Sequence, residues 1–280
     1  MEQFRRGELV FDVRDSGPAD GSAETVILLH GFPETSESWD EVVPALAGAG
    51  LRTLTPDQRG YSPGARPTGR AAYRSEELVA DVLALADAAG VERFHLVGHD
   101  WGGEVAWTTA ARHPERVASL TAVSVPHPGA FLRAMATSVQ GLRSWYMAAF
   151  QVPVVPERVM LARGGRVFRE LLLRSGLRAD LADRYIERLQ EPGALTAAVN
   201  WYRGMSPRAS ALPKVEVPTL YVWSTGDEYV TSTAAYQCGR YVTGSFRFEV
   251  LEGVSHWIPE EAPDRLAALV LAHVGQHVGG

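Results

Sequence analysis

The stretch Phe94-His95-Leu96-Val97-Gly98-His99-Asp100-Trp101-Gly102-Gly103 decides the fold of this chain. Its first half is an apolar run of the length expected for a buried parallel strand. Its second half places three glycines around a single carboxylate, that of Asp100. From Glu104 to His113 the pattern is helical, and Pro114 ends it. The sequence therefore predicts a strand, a tight turn and a helix in immediate succession.

Asp100, at the centre of that turn, allows two interpretations. Glycines are required where a central residue occupies a strained turn and neighbouring backbones approach closely, as in the nucleophile elbow with its G-x-S-x-G pattern. A carboxylate in the place of the serine can still attack carbon and form a covalent ester. An aspartate before a helix is also a common N-cap, because its oxygens accept the first helical N–H groups. The stretch alone favours neither interpretation.

The composition indicates an ordinary globular protein without a nucleic-acid partner. The chain has 280 residues, of which 46% are hydrophobic and 21% charged, and one domain with an insertion is the simplest interpretation of that length. A net charge of −6 gives no basic footprint for nucleic acid. The single cysteine, Cys238, excludes an internal disulfide and a cysteine-based metal cluster.

The N-terminal residues and the hydropathy pattern favour a cytoplasmic protein. The start, Met1 to Gly7, has basic residues but no apolar core behind them, so it is not a secretory signal. No apolar run reaches membrane-spanning length. We therefore expect a soluble, cytoplasmic protein with no membrane partner.

Strand and helix patterns alternate along most of the chain. Buried or half-buried strands are predicted at 9–14, 25–29, 51–55, 94–99, 117–125, 219–223 and 246–251, and helices at 38–49, 75–89, 104–113 and 263–274. This alternation predicts an α/β fold with a mostly parallel sheet covered by helices on both faces. From about 131 to 212 the patterns are only helical. We therefore expect an α/β core at 1–128 and 213–280 and an inserted helical cap at 129–212.

Polar motifs follow four of the predicted strands. They are His30-Gly31-Phe32-Pro33, Asp100, Asp227 and His256. Ligands of open α/β sheets bind at the carboxyl ends of the strands, so we expect these residues to meet at one edge. The chain order of nucleophile, acid and histidine is that of the α/β-hydrolase arrangement. His256 can act as the base, and Asp227 can fix its tautomer and stabilise its positive charge.

With these motifs the chain resembles the α/β-hydrolases that carry a helical cap, and most closely the soluble epoxide hydrolases. The resemblance rests on His30-Gly31-Phe32-Pro33-Glu34, the stretch Gly98 to Gly103, Gly226-Asp227 and His256. It runs from about Leu9 to the C-terminal helix, and so includes nearly the whole chain.

Two segments of the predicted cap strengthen the resemblance. Asn200-Trp201-Tyr202-Arg203 is similar to the family segment that holds one acid tyrosine. Tyr146 stands where the second tyrosine is expected, although Tyr185 is a competitor for that role.

The resemblance implies hydrolysis of an epoxide in two steps. Asp100 would open the strained ring and form a hydroxyalkyl ester, while Tyr146 and Tyr202 would protonate the departing alkoxide. Water activated by His256 would then attack the ester at the aspartyl carbonyl. An epoxide, water and the chain itself suffice for this reaction, and no metal or organic cofactor is required.

The resemblance also implies an oxyanion hole and substrate contacts. The backbone N–H groups of Phe32 and Trp101 would hold the oxyanion of the hydrolytic step. Substrate contacts would come from His30, Pro33, Trp145, Phe150 and Trp201, with His30 also serving as a structural hydrogen-bonding group. The nature of the epoxide and the enantiopreference stay open, as does assembly into a homodimer.

Two other functions are compatible with the same motifs. Haloalkane and haloacid dehalogenases share the aspartate, acid and histidine, but the former usually have Asn where this chain has Phe32. Haloacetate dehalogenases usually have Arg where this chain has Trp101. A hydrolase-fold protein that binds a ligand without turnover is the second alternative, because a fold alone does not establish activity.

Overall fold

The protein, described by a computed structural model at residues 1–19, 21, 23–205 and 212–277, contains one eight-stranded sheet. The strands are β1 (Gln3–Arg6), β2 (Leu9–Ser16), β3 (Thr25–Leu29), β4 (Arg52–Pro56), β5 (Phe94–His99), β6 (Val117–Val123), β7 (Thr219–Ser224) and β8 (Phe246–Leu251). Their spatial order is β1-β2-β4-β3-β5-β6-β7-β8. The pairs β1/β2 and β2/β4 are antiparallel, and all the others are parallel. The predicted α/β class with a mostly parallel sheet is confirmed.

Helices cover both faces of the sheet. They are α1 (Val43–Gly48), α2 (Ser75–Ala88), α3 (Trp101–Arg112), α4 (Pro128–Thr137), α5 (Gln140–Arg143), α6 (Trp145–Ala149), α7 (Val155–Arg174), α8 (Ala179–Gln190), α9 (Ala194–Gly204), α10 (Ser232–Tyr236), α11 (Ile258–Glu261) and α12 (Pro263–Gly275). In β3, Ile27 and Leu29 belong to the core cluster that contains α2 and α3, whereas Val26 and Leu28 belong to the cluster of α1 and α12. This alternation explains why β3 is apolar throughout, since both of its faces are buried.

Several element boundaries differ from the sequence-based expectation. Strand β1 has no clear sequence pattern and forms by pairing with β2. The helix predicted at 38–49 consists of a 3-10 helix at Ser36–Trp39 followed by α1, with proline in the first turn of α1. The segment predicted as purely helical contains α4 to α9, and α7 is interrupted by non-helical backbone from Ala162 to Gly165. Residues 206–211 of that segment lie outside the described residues.

The sheet topology places the loops after β3 and β5 side by side. From β3 the chain continues to β4 on one side of the sheet, whereas from β5 it continues to β6 on the other side. Adjacent parallel strands whose connections leave in opposite directions open a crevice at their carboxyl ends. The loop that contains Phe32 and the turn that contains Asp100 lie at this crevice.

Within the described ranges, no helix is both long enough and apolar enough to cross a membrane.

Candidate active site

The turn between β5 and α3 holds Asp100 in a strained backbone conformation. Asp100 has φ of 49° and ψ of −118°, in a region that non-glycine residues rarely adopt. Such a conformation costs on the order of 1–3 kcal/mol and persists only where the surrounding structure imposes it. A Cβ atom at Gly98 would overlap the carbonyl oxygen of Gly102, so the close approach of β5 and α3 requires glycine there. The predicted strand, tight turn and helix are all present.

The Gly98 contact gives a testable stability prediction. Gly98→Ala is expected to lower the free energy of unfolding by about 1–3 kcal/mol, because the added methyl group must displace backbone atoms. Gly48→Ala is the matched control: it lies at the end of α1 with open space around it and is expected to be neutral or slightly stabilising. Urea unfolding curves measure both, and equal midpoints would contradict the close packing of the turn.

The side chain of Asp100 does not cap α3. Although Asp100 occupies the N-cap position, its carboxylate makes no hydrogen bond to the first turn of the helix. Its Oδ1 accepts a hydrogen bond from the backbone N–H of Phe32 at 2.8 Å, and its Oδ2 lies 3.5 Å from Nε2 of His256. The N-cap interpretation is therefore wrong, and the carboxylate faces the histidine instead.

His256 lies between two carboxylates. Its Nδ1 is hydrogen-bonded to Oδ2 of Asp227 at 2.8 Å, while Nε2 points to Asp100. The other oxygen of Asp227 accepts from the backbone N–H groups of Tyr229 and Val230, both at 2.8 Å. All four interactions fix the orientation of the imidazole ring. The structure thus brings together the three residues that the sequence suggested as nucleophile, acid and histidine.

The negative charges of Asp100 and Asp227 stabilise the positive charge of His256, and the charge of His256 stabilises the ionised Asp100. Burial would raise the pKa of Asp100, but the hydrogen bond and charge of His256, with smaller help from His99 and the Phe32 N–H group, hold this pKa below its usual value. Burial would lower the pKa of His256. The negative charges of Asp227 and Asp100, together with the hydrogen bonds that both carboxylates make to the ring, raise this pKa well above its usual value. In the resting protein an ionised carboxylate therefore faces a protonated imidazole.

Two polar residues to which the sequence analysis gave no role, His99 and Ser124, anchor the histidine loop. The backbone carbonyl of His256 accepts hydrogen bonds from Nε2 of His99 and from Oγ of Ser124, both at 2.9 Å. Nδ1 of His99 in turn contacts the buried carboxylate of Glu34 at 2.8 Å. Glu34 also accepts from the Gly31 N–H at 2.6 Å and so connects the loop after β3 to the loop of His256. In the sequence, this connection was indicated by the place of Glu34 at the end of the motif that begins at His30.

Tyr146 and Tyr202 line the same cavity as Asp100 and His256. The two rings lie 6.1 Å apart, centroid to centroid, in an edge-on arrangement. Burial, with a further contribution from the charge of Asp100, raises the pKa of both hydroxyls well above the usual value, so both keep their protons at neutral pH. The competitor Tyr185 lies elsewhere, because its hydroxyl donates to Oε1 of Glu260 at 3.1 Å.

The cavity at these four residues is mainly apolar and has a volume of about 120 Å³. Its apolar lining comes from α4, α6 and the segment after β6, and includes Val125, Pro128, Phe131, Leu132 and Met147. Three further polar side chains, Ser75, Glu104 and Tyr229, also line it, and Ser75 donates to Glu104 at 3.0 Å. Sequence reasoning missed these residues because nothing in a helical pattern indicates which positions face a cavity.

The predicted substrate contacts need correction, since none of the five lines this cavity in the described part of the chain. His30 is fully buried, and its Nε2 accepts from the backbone N–H of Gln58 at 3.1 Å, so only its structural role remains. Trp145 is 69% exposed and points away from the cavity wall that its neighbour Tyr146 forms. The ring N–H of Trp201 donates to the carbonyl of Arg59 at 2.8 Å.

Pro33 and Phe150 lie behind the cavity wall. Pro33 is buried in the loop after β3. The ring of Phe150 packs on Phe32 and Tyr202, at centroid distances of 5.9 and 4.8 Å. Phe150 therefore supports Tyr202 from behind.

Comparisons with known proteins agree with this geometry. The family described as alpha/beta hydrolase fold matches residues 24–263, and the chain belongs to it. Within this family the chain belongs to the group of the epoxide hydrolases. It is 33% identical to Epoxide hydrolase A of Mycobacterium tuberculosis, with 89% of each chain covered. It is 32% identical to human Epoxide hydrolase 4, with 88% of this chain and 70% of that protein covered.

Solved structures give the same result. An epoxide hydrolase described as coming from metagenomes of hot environments has a TM-score of 0.85 and 26% identity, with 97% of each chain covered. A mutant of an epoxide hydrolase from Bacillus megaterium, in complex with its diol product, has a TM-score of 0.86 and 25% identity, with 98% of this chain and 99% of that chain covered.

Proposed function

We propose that this chain hydrolyses epoxides to vicinal diols through a covalent ester of Asp100. The observation that carries the proposal is a carboxylate that does not cap its helix. Asp100 is held at one oxygen by the Phe32 N–H group and faces His256 with the other. The same cavity is lined by Tyr146 and Tyr202, whose protonated hydroxyls are the donors that an opening epoxide needs.

In the first step, Oδ2 of Asp100 attacks a carbon of the epoxide. The carbon–oxygen bond of the ring breaks, and the ring oxygen leaves as an alkoxide. An alkoxide is a much stronger base than a phenolate, so Tyr146 or Tyr202 transfers its proton even though its pKa is raised. Oδ1 of Asp100 becomes the carbonyl oxygen of the ester and keeps the hydrogen bond from Phe32.

In the second step, the imidazolium of His256 first gives its proton to the tyrosinate. The neutral Nε2 then takes a proton from water, and the hydroxide attacks the ester carbonyl of Asp100. The negative charge develops on Oδ1, where the Phe32 N–H group already donates. Trp101 is the first residue of α3, and N–H groups of a first helical turn lack intrahelical partners, so its N–H is available as the second donor. The carbon–oxygen bond of the ester then breaks, and the water proton that remains on the Asp100 carboxyl passes to the departing diol oxygen. The resting state of ionised Asp100, protonated His256 and neutral tyrosines is thereby restored.

We also propose that the helices between Pro128 and Gly204 act as a cap, with the boundary at 129–212 expected from the sequence. Tyr146 on α6 and Tyr202 on α9 line the cavity from this segment, whereas Asp100 and His256 line it from strand-end loops. Because the cap supplies Tyr146 and Tyr202, the site is complete only when the cap lies over the carboxyl ends of the strands.

The cavity limits the size of the substrate. A water-sized guest needs about 10–15 Å³ of the same kind of volume, so a guest of roughly ten non-hydrogen atoms fits. The apolar lining favours a hydrocarbon substituent on the epoxide. Dehalogenation stays the alternative reaction, although the Trp101 ring, which would have to cradle a halide, packs edge-on against the Tyr202 ring at a centroid distance of 4.9 Å. Diol formation from a panel of small epoxides, run beside halide release from haloalkanes, distinguishes the two reactions and also excludes a ligand receptor without turnover.

Removal of the tyrosine hydroxyls tests the proton donors. Tyr146→Phe and Tyr202→Phe are each expected to slow ring opening about 10–100-fold, and the double variant about 10²–10⁴-fold, because the alkoxide then leaves without a proton. Single-turnover rates of epoxide consumption measure this effect.

Tyr236→Phe is the matched control, because Tyr236 is exposed on α10 and does not line the cavity. Its rate should equal that of the wild type. If the double cavity variant opened epoxides as fast as this control, the tyrosines would not be the donors. If the wild type and the Tyr236→Phe control released halide from haloalkanes but formed no diol from epoxides, the assignment to epoxides would be wrong.

A further inference from the structure

Exposed apolar side chains are concentrated on one part of the molecule. Of the twelve large apolar side chains that are exposed among the described residues, ten lie between Pro128 and Met205. We call six of them the exposed apolar face, defined as Leu142, Trp145, Val152, Val154, Val155 and Val159. Leu142 is 76% exposed and Trp145 69%. Single exposed apolar residues are common on soluble proteins, but a concentration of them marks an interaction surface.

The segment that carries most of this face is held in place by α9. Arg203, near the end of α9, donates to the backbone carbonyls of Phe150 and Val152 at 2.8 and 2.9 Å. Arg203 also forms an ion pair with Glu157 at 2.6 Å. The residues between α6 and α7 are therefore fixed against the helix that bears Tyr202, and their valines project outward from a bonded backbone.

The same region carries an excess of positive charge. Between Pro128 and Met205 the sequence has eleven arginines and six acids, an excess of five positive charges. Some of these charges form ion pairs, namely Arg203 with Glu157, Arg166 with Glu170 and Arg169 with Asp183. Arg158 is exposed and lies three residues after Val155 and one before Val159, on the same side of α7. The face is thus both apolar and cationic, although the whole chain has a net charge of −6.

We propose that the exposed apolar face docks on the surface of an anionic lipid bilayer. Arginines beside tryptophan and aliphatic side chains are the composition of segments that lie in a membrane interface. Each cation near such a surface gains attraction from anionic headgroups, and tryptophan favours the headgroup level. A second copy of the chain fits less well, because a twofold interface brings the same surface of both copies together and would oppose arginine to arginine.

The cavity opens close to the exposed apolar face, so docking would bring the active site near the lipid. Met205 lines the cavity and is also 39% exposed, so the cavity reaches the surface next to the segment that Arg203 holds. On α6, Tyr146 and Met147 face the cavity while Trp145 faces outward. A docked protein would hold its cavity opening close to lipid, where apolar molecules partition. The sequence-based expectation of no membrane partner considered only segments that cross a bilayer.

Sedimentation with phosphatidylcholine vesicles, with and without phosphatidylglycerol, tests the docking on the full chain. The wild type is expected to sediment with the anionic vesicles and to be released by high salt. Arg158→Glu and the double variant L142S/V155S are each expected to weaken the vesicle partition coefficient about tenfold or more. The matched controls are Arg240→Glu and Tyr236→Ser, which change an exposed cation and an exposed apolar residue outside this region.

Thermal unfolding and hydrolysis of a small soluble epoxide verify that each variant is folded, and neither substitution touches the cavity. Loss of vesicle binding in both variants, with binding retained in both controls, supports the docking whatever the enzyme's substrate is. The proposal is overturned if the wild type ignores anionic vesicles, or if variants and controls bind alike. It is also overturned if L142S/V155S converts a dimer to a monomer and no form binds lipid, since a second copy would then cover the face.

Discussion

Replacement of Asp100 by asparagine or alanine is expected to abolish multiple turnover of epoxides, with a loss in kcat of at least about 10⁴-fold. The reason is geometric, because among the described residues no other carboxylate oxygen is held between the Phe32 N–H group and His256. The alanine variant matters because asparagine at this position can revert to aspartate by deamidation. Steady-state diol formation measures the loss, and Asp264→Asn, an exposed aspartate at the start of α12, serves as the control.

A single turnover in oxygen-18 water, with enzyme in excess, tests the same residue without a substitution. In the proposed reaction the diol receives its new oxygen from Asp100, so the first diol formed should carry no label. The label should instead enter the Asp100 carboxylate, where peptide mass spectrometry locates it. Label in the first diol would mean that water attacks the epoxide directly, and the covalent ester would have to be abandoned.

The variant His256→Gln is expected to trap the ester. Ring opening needs only the carboxylate and the tyrosines, whereas hydrolysis needs a base at Nε2, so the second step should slow about 10²–10⁴-fold while the first proceeds. Intact-protein mass spectrometry should reveal a stoichiometric mass increase equal to one epoxide. Asp227→Asn should accumulate the same adduct to a smaller extent, because an amide oxygen can still accept from Nδ1 but supplies no negative charge to stabilise the imidazolium.

His113→Gln provides the comparison for this experiment, because His113 is a partly exposed histidine at the end of α3 whose ring contacts Glu115 at 3.2 Å. It should turn over normally and carry no adduct. Diol release by His256→Gln at the wild-type rate, without an adduct, would remove the histidine from the hydrolytic step.

The sequence predicted those parts of the fold whose residue types are dictated by their immediate structural surroundings. Strand β3 is apolar at every position because both faces are buried, and the turn at Asp100 needs glycines because its backbones nearly touch. Chain order then related Asp227 and His256 to that turn. Strand β1 escaped prediction because its four residues gain their order from β2 and not from their own pattern.

The cavity-lining residues were predicted wrongly because the sequence does not determine which side of a short helix faces the cavity. Helix α6 has only five residues, and over so short a length periodicity does not fix which side is buried, so Trp145 was expected in the cavity that Tyr146 occupies. Trp201 and Tyr202 are likewise adjacent, yet only the tyrosine lines the cavity. The contact between Glu34 and His99 joins residues 65 positions apart, and no single-sequence pattern encodes such a pair. The cytoplasmic location and the homodimer stay predictions.

The position of His256 between two carboxylates has a consequence for the order of events. Asp100 is one of the two negative neighbours that keep the imidazole protonated, and an ester carries no charge. In the proposed reaction, attachment of the substrate would remove that neighbour and lower the pKa of His256, so that the ring could give up its proton and accept another from water. The hydrolytic base would then become available only after the intermediate that it hydrolyses has formed.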